Sequence, residues 1–534
     1  MRQSLPPRRL HGAAGAAPLV ARETLAYFSA PATRRPIPPS MTDHAPPPDR
    51  AALLDRIARL ERAGRPLDPG AGSRRRLRDA VVASSERFLR GIDSLPGYRE
   101  TEDRGIALLD TPVPEHGVPL DHAIRLLEDA VTRPGGNPAS PGHLAYIPGG
   151  GLYHSALADY LAAVTNKYAG IFFTGPGPVR MENLLIRWTA DLVGYPAGAG
   201  GNIASGGSIA NLAAITTARD AHELKGADYA RAVVYLTTQA HHAIDKALRI
   251  AGMAEVQVRY VEIDGRFRMR PDALERTIAE DRAAGLRPWM VIAAAGATDT
   301  GAVDPLDAIA DVAERAGCWF HVDAAYGGFF LLTEHGRGIL RGIERSDSVV
   351  LDPHKSLFLP WGAGIVLVRD VRPMAATHGY QGHYMQDALR EPGEISPADV
   401  SAELSKPFRA LRMWLPLVLL GVAPFRAALE EKLLLARYFR EEARAMGFEV
   451  GPEPDLSAVV FRWAPPGVDV AEANRLNQAL VDAVRRDGRV FLSSTLLDGR
   501  FTLRMVALSF RTHRRTIDLC LCILREKLDE LNGL

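Results

Sequence analysis

The sequence is poor in cysteine, and it has neither a long apolar run nor an excess of one charge. Its 534 residues contain three cysteines, Cys318, Cys520 and Cys522, and no C-x-x-C pair. This spacing excludes the common zinc and thioredoxin-type motifs. All three lie in apolar surroundings, so we expect buried, reduced thiols, which suit a reducing cytoplasm.

Two further absences narrow the choice of partners. No stretch of about 18 apolar residues is free of charge, so no membrane-spanning helix is predicted. Lys and Arg number 64 and Asp and Glu number 63. This balance gives no reason to propose nucleic acid or an anionic membrane as the main partner.

The first 40 residues hold six arginines, several prolines and one acid, Glu23. This composition predicts a disordered extension or an upstream start codon with the true start at Met41, and a transit peptide is the alternative. We assign residues 1–48 to the extension and 49–135 to an N-terminal helical segment.

The remaining chain predicts an α/β fold in which helices cover a mostly parallel sheet. In residues 136–415, apolar runs without polar alternation come between helical segments, which indicates strands buried on both faces. This region is the predicted large domain, and residues 416–534 form a small C-terminal α+β domain. The expected strands of the large domain are AVVYLTT, VQVRYVEI, WMVIAAAG, CWFHVD, SVVLD and GIVLVRD.

A lysine and an aspartate end two of these strands. Lys355, in DPHKSLFLPWGAG, follows SVVLD, and an amine in a partly apolar pocket can lose its proton and attack a carbonyl, as an imine with pyridoxal phosphate (PLP) requires. Asp323 ends CWFHVD, and a buried carboxylate needs a positive partner such as a protonated pyridine nitrogen. Taken alone, Lys355 fits a solvated strand-end lysine better than a catalytic one, and Asp323 fits a helix N-cap equally well.

A glycine-rich loop and a histidine stand at two other junctions. In NIASGGSIANLAAITTARD, glycines and Ser208 precede an apolar helix whose first amides can hold a phosphate. The same loop resembles a loosened nucleophile elbow, so a serine hydrolase built on Ser208 is an alternative. His241, in TTQAHHAIDKAL, is placed to stack on an aromatic ring and move protons, or it is simply a satisfied hydrogen-bonding residue. The adjacent His242 does not give metal-site spacing, so no metal site is predicted.

The combination favours one cofactor. The loop, the histidine, the aspartate and the lysine all lie at strand–helix junctions, where open α/β sheets bind ligands. Together they supply the parts of a PLP site, although each signal alone is weak.

The pieces SGGSIANLAA, QAHHAIDKA, HVDAAYGG and DPHK resemble the group II PLP-dependent decarboxylases, from about residue 50 to the end. GHLAYIPGG, GPGPVRMENLLIRW and FRALRMW resemble the aromatic branch. The resemblance implies PLP fold type I, an obligate homodimer, and conversion of an L-amino acid, with an aromatic one as a candidate, to an amine and CO₂ through a Schiff base on Lys355. The implied cofactor-site residues, besides Lys355, are Gly207, Ser208, His241, Thr298, Asp323, Ala325, His354 and, from the partner subunit, Ser405; Tyr146 would lie near the substrate.

Three departures from that family affect the expected reaction. Asp352 stands where the family often has asparagine, and an acid is unfavourable beside a phosphate. Ala297, in GATDTG, replaces a threonine. The segment SPADVSAELS lacks the tyrosine that returns a proton to the substrate, so Tyr384 in GHYMQDA is the candidate substitute. Oxidative deamination to an aldehyde, a lyase or aminotransferase reaction, and an inactive PLP-binding protein therefore stay open.

Overall fold

A computed structural model of the chain describes residues 50–379 and 394–532. The chain divides into two compact units, residues 1–78 and 79–534. In the first unit, the helix Arg50–Gly64 lies at the start of the segment that is expected to be helical. A 3-10 turn, Arg65–Leu67, and the start of the helix Ala71–Gly91 follow it.

A seven-stranded, mostly parallel sheet forms the centre of the second unit. Its strands are β3 (Gly200–Ala204), β4 (Ala232–Leu236), β5 (Gln257–Tyr260), β6 (Arg287–Ala294), β7 (Trp319–Asp323), β8 (Ser348–Leu351) and β9 (Gly364–Val368). Their spatial order is β3-β9-β8-β7-β6-β4-β5. Strand β9 runs antiparallel to both of its neighbours, whereas the other pairs are parallel. The predicted α/β fold class is therefore confirmed.

Helices and a short two-stranded ribbon complete this part of the chain. Every residue of β4 and β9 is buried, because helices cover the sheet on both faces. The ribbon pairs β1 (Tyr98–Arg99) with β2 (Gly135–Gly136). The helices are Leu120–Leu126 with its π-helical continuation Leu127–Thr132, Tyr153–Thr165, Pro176–Val193, Gly207–Ala221, Ala243–Ile250, Pro271–Ala283, Leu306–Ala316, Glu334–Ile339, Pro353–Ser356 and Val371–His378.

The C-terminal part carries a second, antiparallel sheet. Its four strands are β10 (Glu449–Val450), β11 (Ala458–Arg462), β12 (Ser493–Leu497) and β13 (Arg500–Val506), in the order β10-β11-β13-β12. The helices of this part are Ala410–Leu420, Ala423–Ala445, Val470–Asp487 and Arg514–Asn532. They bury a core of their own around Phe439, Phe461 and Leu503.

Two expectations about cysteines and membrane spans can be compared with this fold. Cys318 and Cys520 are buried as predicted, but Cys522 is exposed, so that expectation is wrong. Cys520 and Cys522 are two residues apart on one helix, and a rotation of about 200° turns the second side chain to solvent. In residues 50–379 and 394–532, no single helix is long and apolar enough to cross a membrane. The helices Ala410–Leu420 and Ala423–Ala445 have the required length and hydropathy only when they are counted together, and the chain bends by 94° between them.

Candidate active site

The carboxyl ends of the parallel strands open onto a cavity of about 350 Å³. Asp323 is the last residue of β7, and Asp352 directly follows β8. Because parallel strands end at the same edge of a sheet, side chains distant in sequence meet there. The cavity-lining residues singled out from the sequence are Gly207, Ser208, His241, Thr298, Asp323, Ala325, His354 and Lys355.

Lys355 lies on the four-residue helix Pro353–Ser356, which begins directly after β8. The proline fixes a backbone angle that suits the first helical turn, so the chain turns at once towards the cavity. The Lys355 Nζ lies 3.1 Å from Oδ2 of Asp352, and the lysine side chain is 20% exposed. The amine therefore faces the cavity from a largely enclosed position.

A network of hydrogen bonds orients the Asp323 carboxylate. Its Oδ1 accepts from the amide of Ala325 at 3.1 Å, and its Oδ2 accepts from the Asn211 Nδ2 at 3.4 Å. The Asn211 Oδ1 lies 2.8 Å from His321 Nε2, and His321 Nδ1 lies 2.8 Å from the Ser348 hydroxyl. The sequence reasoning missed Asn211 and His321, although HVD and SIANL both belong to the quoted motifs.

The tautomer of His321 follows from the hydrogen-bond donors in this network. Asn211 donates through Nδ2 to Asp323, so its Oδ1 accepts and His321 Nε2 carries the proton. Burial lowers the pKa of His321 to about 4, because the interior disfavours the imidazolium. The Ser348 hydroxyl then donates to His321 Nδ1 while it accepts from the Trp319 indole at 2.8 Å. A neutral, fixed network therefore orients the Asp323 carboxylate.

His241 follows β4 and precedes the helix Ala243–Ile250. Its Nδ1 accepts a hydrogen bond from the Ala243 amide at 3.1 Å, so the neutral ring carries its proton on Nε2. Burial lowers the pKa of His241, and the nearby Asp323 opposes that shift. The ring is thus neutral near about pH 7 and presents a proton donor.

The glycine-rich loop packs tightly against the strand-end residues. A Cβ added at Gly207 would lie 2.8 Å from the Asp352 Oδ2, and one at Gly364 would lie 2.5 Å from the backbone of Gly206. At position 364 only glycine leaves room, whereas a side chain at position 207 would require the Asp352 carboxylate to move. Gly207 begins the helix Gly207–Ala221, so the amides of Gly207 and Ser208 lack intrahelical partners, and both residues line the cavity.

The Nδ1 of His354 and the hydroxyl of Tyr326 are both hydrogen-bonded to the protein. The Nδ1 of His354 lies 2.5 Å from the Ala363 carbonyl oxygen, and burial lowers the pKa of the ring. The Tyr326 hydroxyl bonds to the Ser457 hydroxyl at 2.7 Å and accepts from its amide at 3.0 Å. Burial raises the pKa of Tyr326 to about 12. This phenol is therefore not free to give a proton to a molecule in the cavity.

Two predicted residues, Tyr146 and Ser405, do not line the cavity. Tyr146 is 59% exposed and contacts the Phe491 ring, while its neighbour Ile147 is the residue that reaches the lining. Ser405 is exposed and adjoins Lys406, whose buried Nζ pairs with Glu182 at 3.0 Å. Tyr384 lies outside the described residues. Ser208 does line the cavity, but among the described residues its hydroxyl has no hydrogen-bonded histidine, as a serine nucleophile would need.

The residues present fit PLP. The cavity falls within the range of about 300–1,000 Å³ of small-molecule sites. It combines helix amides for a phosphate, a fixed carboxylate for a pyridine nitrogen, a neutral imidazole, and a lysine amine. Glycine at positions 207 and 364 lets the loop lie close to the strand-end residues, where a side chain would collide with Asp352 or with the Gly206 backbone.

Comparison with known proteins agrees with this chemistry. Residues 103–464 match the family model described as the pyridoxal-dependent decarboxylase conserved domain. An aromatic-L-amino-acid decarboxylase of Bacillus atrophaeus is 35% identical over 407 residues, which cover 76% of this chain and 84% of that protein. A phenylacetaldehyde synthase of Arabidopsis thaliana is 28% identical over 421 residues, which cover 77% of this chain and 85% of that protein.

The fold is shared with solved structures of PLP enzymes. A crystal structure of Oryza sativa TDC with PLP and tryptamine is similar, with a TM-score of 0.82 and 26% identity, over 87% of this chain and 99% of that one. The chain belongs to the pyridoxal-dependent decarboxylase family and is a PLP-dependent amino-acid decarboxylase of fold type I.

Proposed function

We propose that the enzyme removes the α-carboxylate of an aromatic L-amino acid, with the cofactor attached to Lys355. The observation that carries this proposal is the meeting of Lys355, Asp323 and His241 in one cavity, beside the Gly207 helix start. The aromatic preference is supported by the 35% identical aromatic-L-amino-acid decarboxylase.

The bound cofactor supplies an electron sink for the bond that breaks at the substrate α-carbon. In the proposed roles, the Asp323 carboxylate pairs with the cofactor's ring nitrogen, because Asn211 and the Ala325 amide already fix its orientation. The His241 Nε2 holds a proton at the cavity wall. Gly207 and Ser208 bind the phosphate through the first amides of their helix, and Ala325 and Thr298 enclose the ring region.

The test is a panel of the common L-amino acids with added PLP, in which amine and CO₂ are both measured. We expect equal amounts of the two products, the fastest turnover on an aromatic substrate, and loss of activity in Lys355→Ala. Lys246→Ala is the matched control, because Lys246 is an exposed lysine on the neighbouring helix Ala243–Ile250. Full activity in Lys355→Ala, or turnover of non-aromatic amino acids only, would contradict the proposal.

A second reaction, oxidative deamination to an aldehyde, is favoured by the missing tyrosine in SPADVSAELS. The 28% identical phenylacetaldehyde synthase supports the same alternative. Hydrogen peroxide and ammonia distinguish the two reactions on one substrate, since only the aldehyde-forming reaction releases them. If each molecule of substrate consumed gives one molecule of ammonia and no amine, the reaction is oxidative deamination and not decarboxylation to the amine.

We also propose a cytoplasmic homodimer without a nucleic-acid partner, in which Ser405 approaches the partner's phosphate site. The support is the family resemblance, together with the exposed leucines and isoleucine of the helix Arg50–Gly64, such as Ile57 and Leu60. Exposed apolar side chains on a helix are typical of a surface covered by another chain. The double variant Ile57→Glu/Leu60→Glu should sediment as a monomer. The double variant Arg56→Glu/Arg59→Glu is the control and should stay dimeric. An unchanged dimer in the first variant would contradict this role for the helix.

A further inference from the structure

Asp352 is a buried acid with one oxygen that has no hydrogen-bond partner. The residue is 2% exposed, and its Oδ2 lies 3.1 Å from the Lys355 Nζ. Its Oδ1 has no partner among the described residues. A buried carboxylate is stable only when it is paired and hydrogen-bonded, so its charge depends on Lys355.

The same carboxylate abuts the proposed phosphate cradle. A Cβ at Gly207 would lie 2.8 Å from its Oδ2, and a Cβ at Gly364 would lie 2.7 Å from its Oδ1. The first amides of the helix Gly207–Ala221 begin at this point. A phosphate bound there would therefore face a carboxylate, and two anions at short range repel each other.

Among the described residues that line the cavity, the other groups around Asp352 offer no positive charge. His354 Nε2 lies 3.6 Å from the Asp352 Oδ2, but burial lowers the pKa of His354 and of His241, so both rings are neutral near about pH 7. Asp323 is an acid held by Asn211 and Ala325. Of the described residues that line the cavity, Lys355 is the one cation near Asp352.

We propose, building on the proposed function, that Asp352 takes the Lys355 proton as the cofactor loads and then donates it in a hydrogen bond to the phosphate. The proton moves from Nζ to Oδ2, so Lys355 becomes the neutral amine that bonds to the cofactor aldehyde with release of one water. Asp352 becomes a neutral carboxylic acid. The transfer neutralises the buried Asp352 carboxylate in the same step in which Lys355 loses its positive charge. No oxidant or reductant is needed.

The proposal is tested by the phosphate preference, defined as the dissociation constant of pyridoxal divided by that of PLP. Both aldehydes react with Lys355, so changes in the lysine cancel in this ratio. At about pH 7, we expect the preferences of the wild type and of Asp352→Asn to agree within about threefold, because a neutral carboxylic acid and an amide both donate a hydrogen bond to the phosphate. A preference at least about tenfold higher in Asp352→Asn would overturn the proposal, because it would show that Asp352 stays charged beside the phosphate.

A second readout observes the proton directly. Loading the wild-type enzyme with PLP should create the infrared carbonyl band of a protonated carboxyl group, and Asp352→Asn should lack it. Asp347→Asn is the control, because Asp347 is a largely buried acid at the other end of β8 and should keep the band. A band of equal size in Asp352→Asn would overturn the assignment to Asp352.

The outcomes separate this inference from the function on which it rests. A wild-type protein that loads neither pyridoxal nor PLP would refute the proposed function. A wild-type protein that loads both aldehydes, but with a phosphate preference at least about tenfold lower than that of Asp352→Asn, would refute only the role of Asp352. Melting curves of the cofactor-free proteins check that Asp352→Asn is folded before either comparison is made.

Discussion

The Asp323 carboxylate is oriented before any ligand enters, by hydrogen bonds from Asn211 and from the Ala325 amide. In the proposed role, its negative charge matters more than its shape, because it stabilises a protonated ring nitrogen. Asp323→Asn keeps the shape and removes the charge. We expect turnover to fall by about a hundredfold or more, with a much smaller change in the dissociation constant of PLP. Equal losses of turnover and of PLP binding would indicate a structural role instead.

Arg504 joins two elements that the sequence reasoning did not connect. This residue of β13 is buried, and its guanidinium donates to the carbonyl oxygens of Thr298 and Asp299 and to the Ser493 hydroxyl. The cavity-lining Thr298 turn is thereby tied to the small sheet. Removal of the guanidinium leaves the buried Ser493 hydroxyl and two partly buried carbonyl oxygens without their donor, so Arg504→Met should reduce the free energy of unfolding by about 2 kcal/mol or more.

The control for this prediction lies on the same strand. Arg500 is exposed and pairs at 3.2 Å with the exposed Glu449, so Arg500→Met should change the free energy of unfolding by less than about 1 kcal/mol. Urea unfolding of the cofactor-free enzyme measures both variants. An Arg504→Met protein as stable as Arg500→Met would show that the tether contributes little.

Strand-end residues were predictable from the sequence because each motif contains its own strand and turn. SVVLDPHK gives a buried strand, a proline at the first helical turn and the lysine in eight residues. Strand β3 was missed, since GGNIA has only two apolar side chains and its glycines resemble a loop. The Asn211–His321 contact joins residues 110 positions apart, and no local pattern predicts such a pair. The domain boundaries after residues 48, 135 and 415 stay predictions.

At the scale of the whole molecule, buried histidines link stability to pH. Burial lowers the pKa of His143 to about 4, and its Nδ1 has no hydrogen-bond partner among the described residues. The unfolded chain binds a proton below about pH 6.5, whereas the folded protein does not until about pH 4. The stability that this residue contributes is therefore complete above about pH 6.5 and is lost as the pH falls.

This linkage predicts the effect of His143→Phe. The ring packs against Phe491 at 5.2 Å between centroids, so phenylalanine can occupy the site without titrating. Between about pH 6.5 and about pH 5, we expect the wild-type free energy of unfolding to fall by about 2 kcal/mol more than that of the variant. Urea unfolding at both pH values measures this difference, with the exposed His122→Phe as control. Parallel losses in wild type and His143→Phe would contradict it.

Lys355 is the residue on which the whole account depends, and its bond to the cofactor can be located directly. The PLP-loaded enzyme is reduced with borohydride, which makes the lysine–cofactor bond permanent, and is then digested and mapped by mass spectrometry. The account predicts one modified peptide, with the pyridoxyl group on Lys355 in DPHKSLFLPWGAG. A pyridoxyl group on another lysine, with Lys355 unmodified, would contradict it.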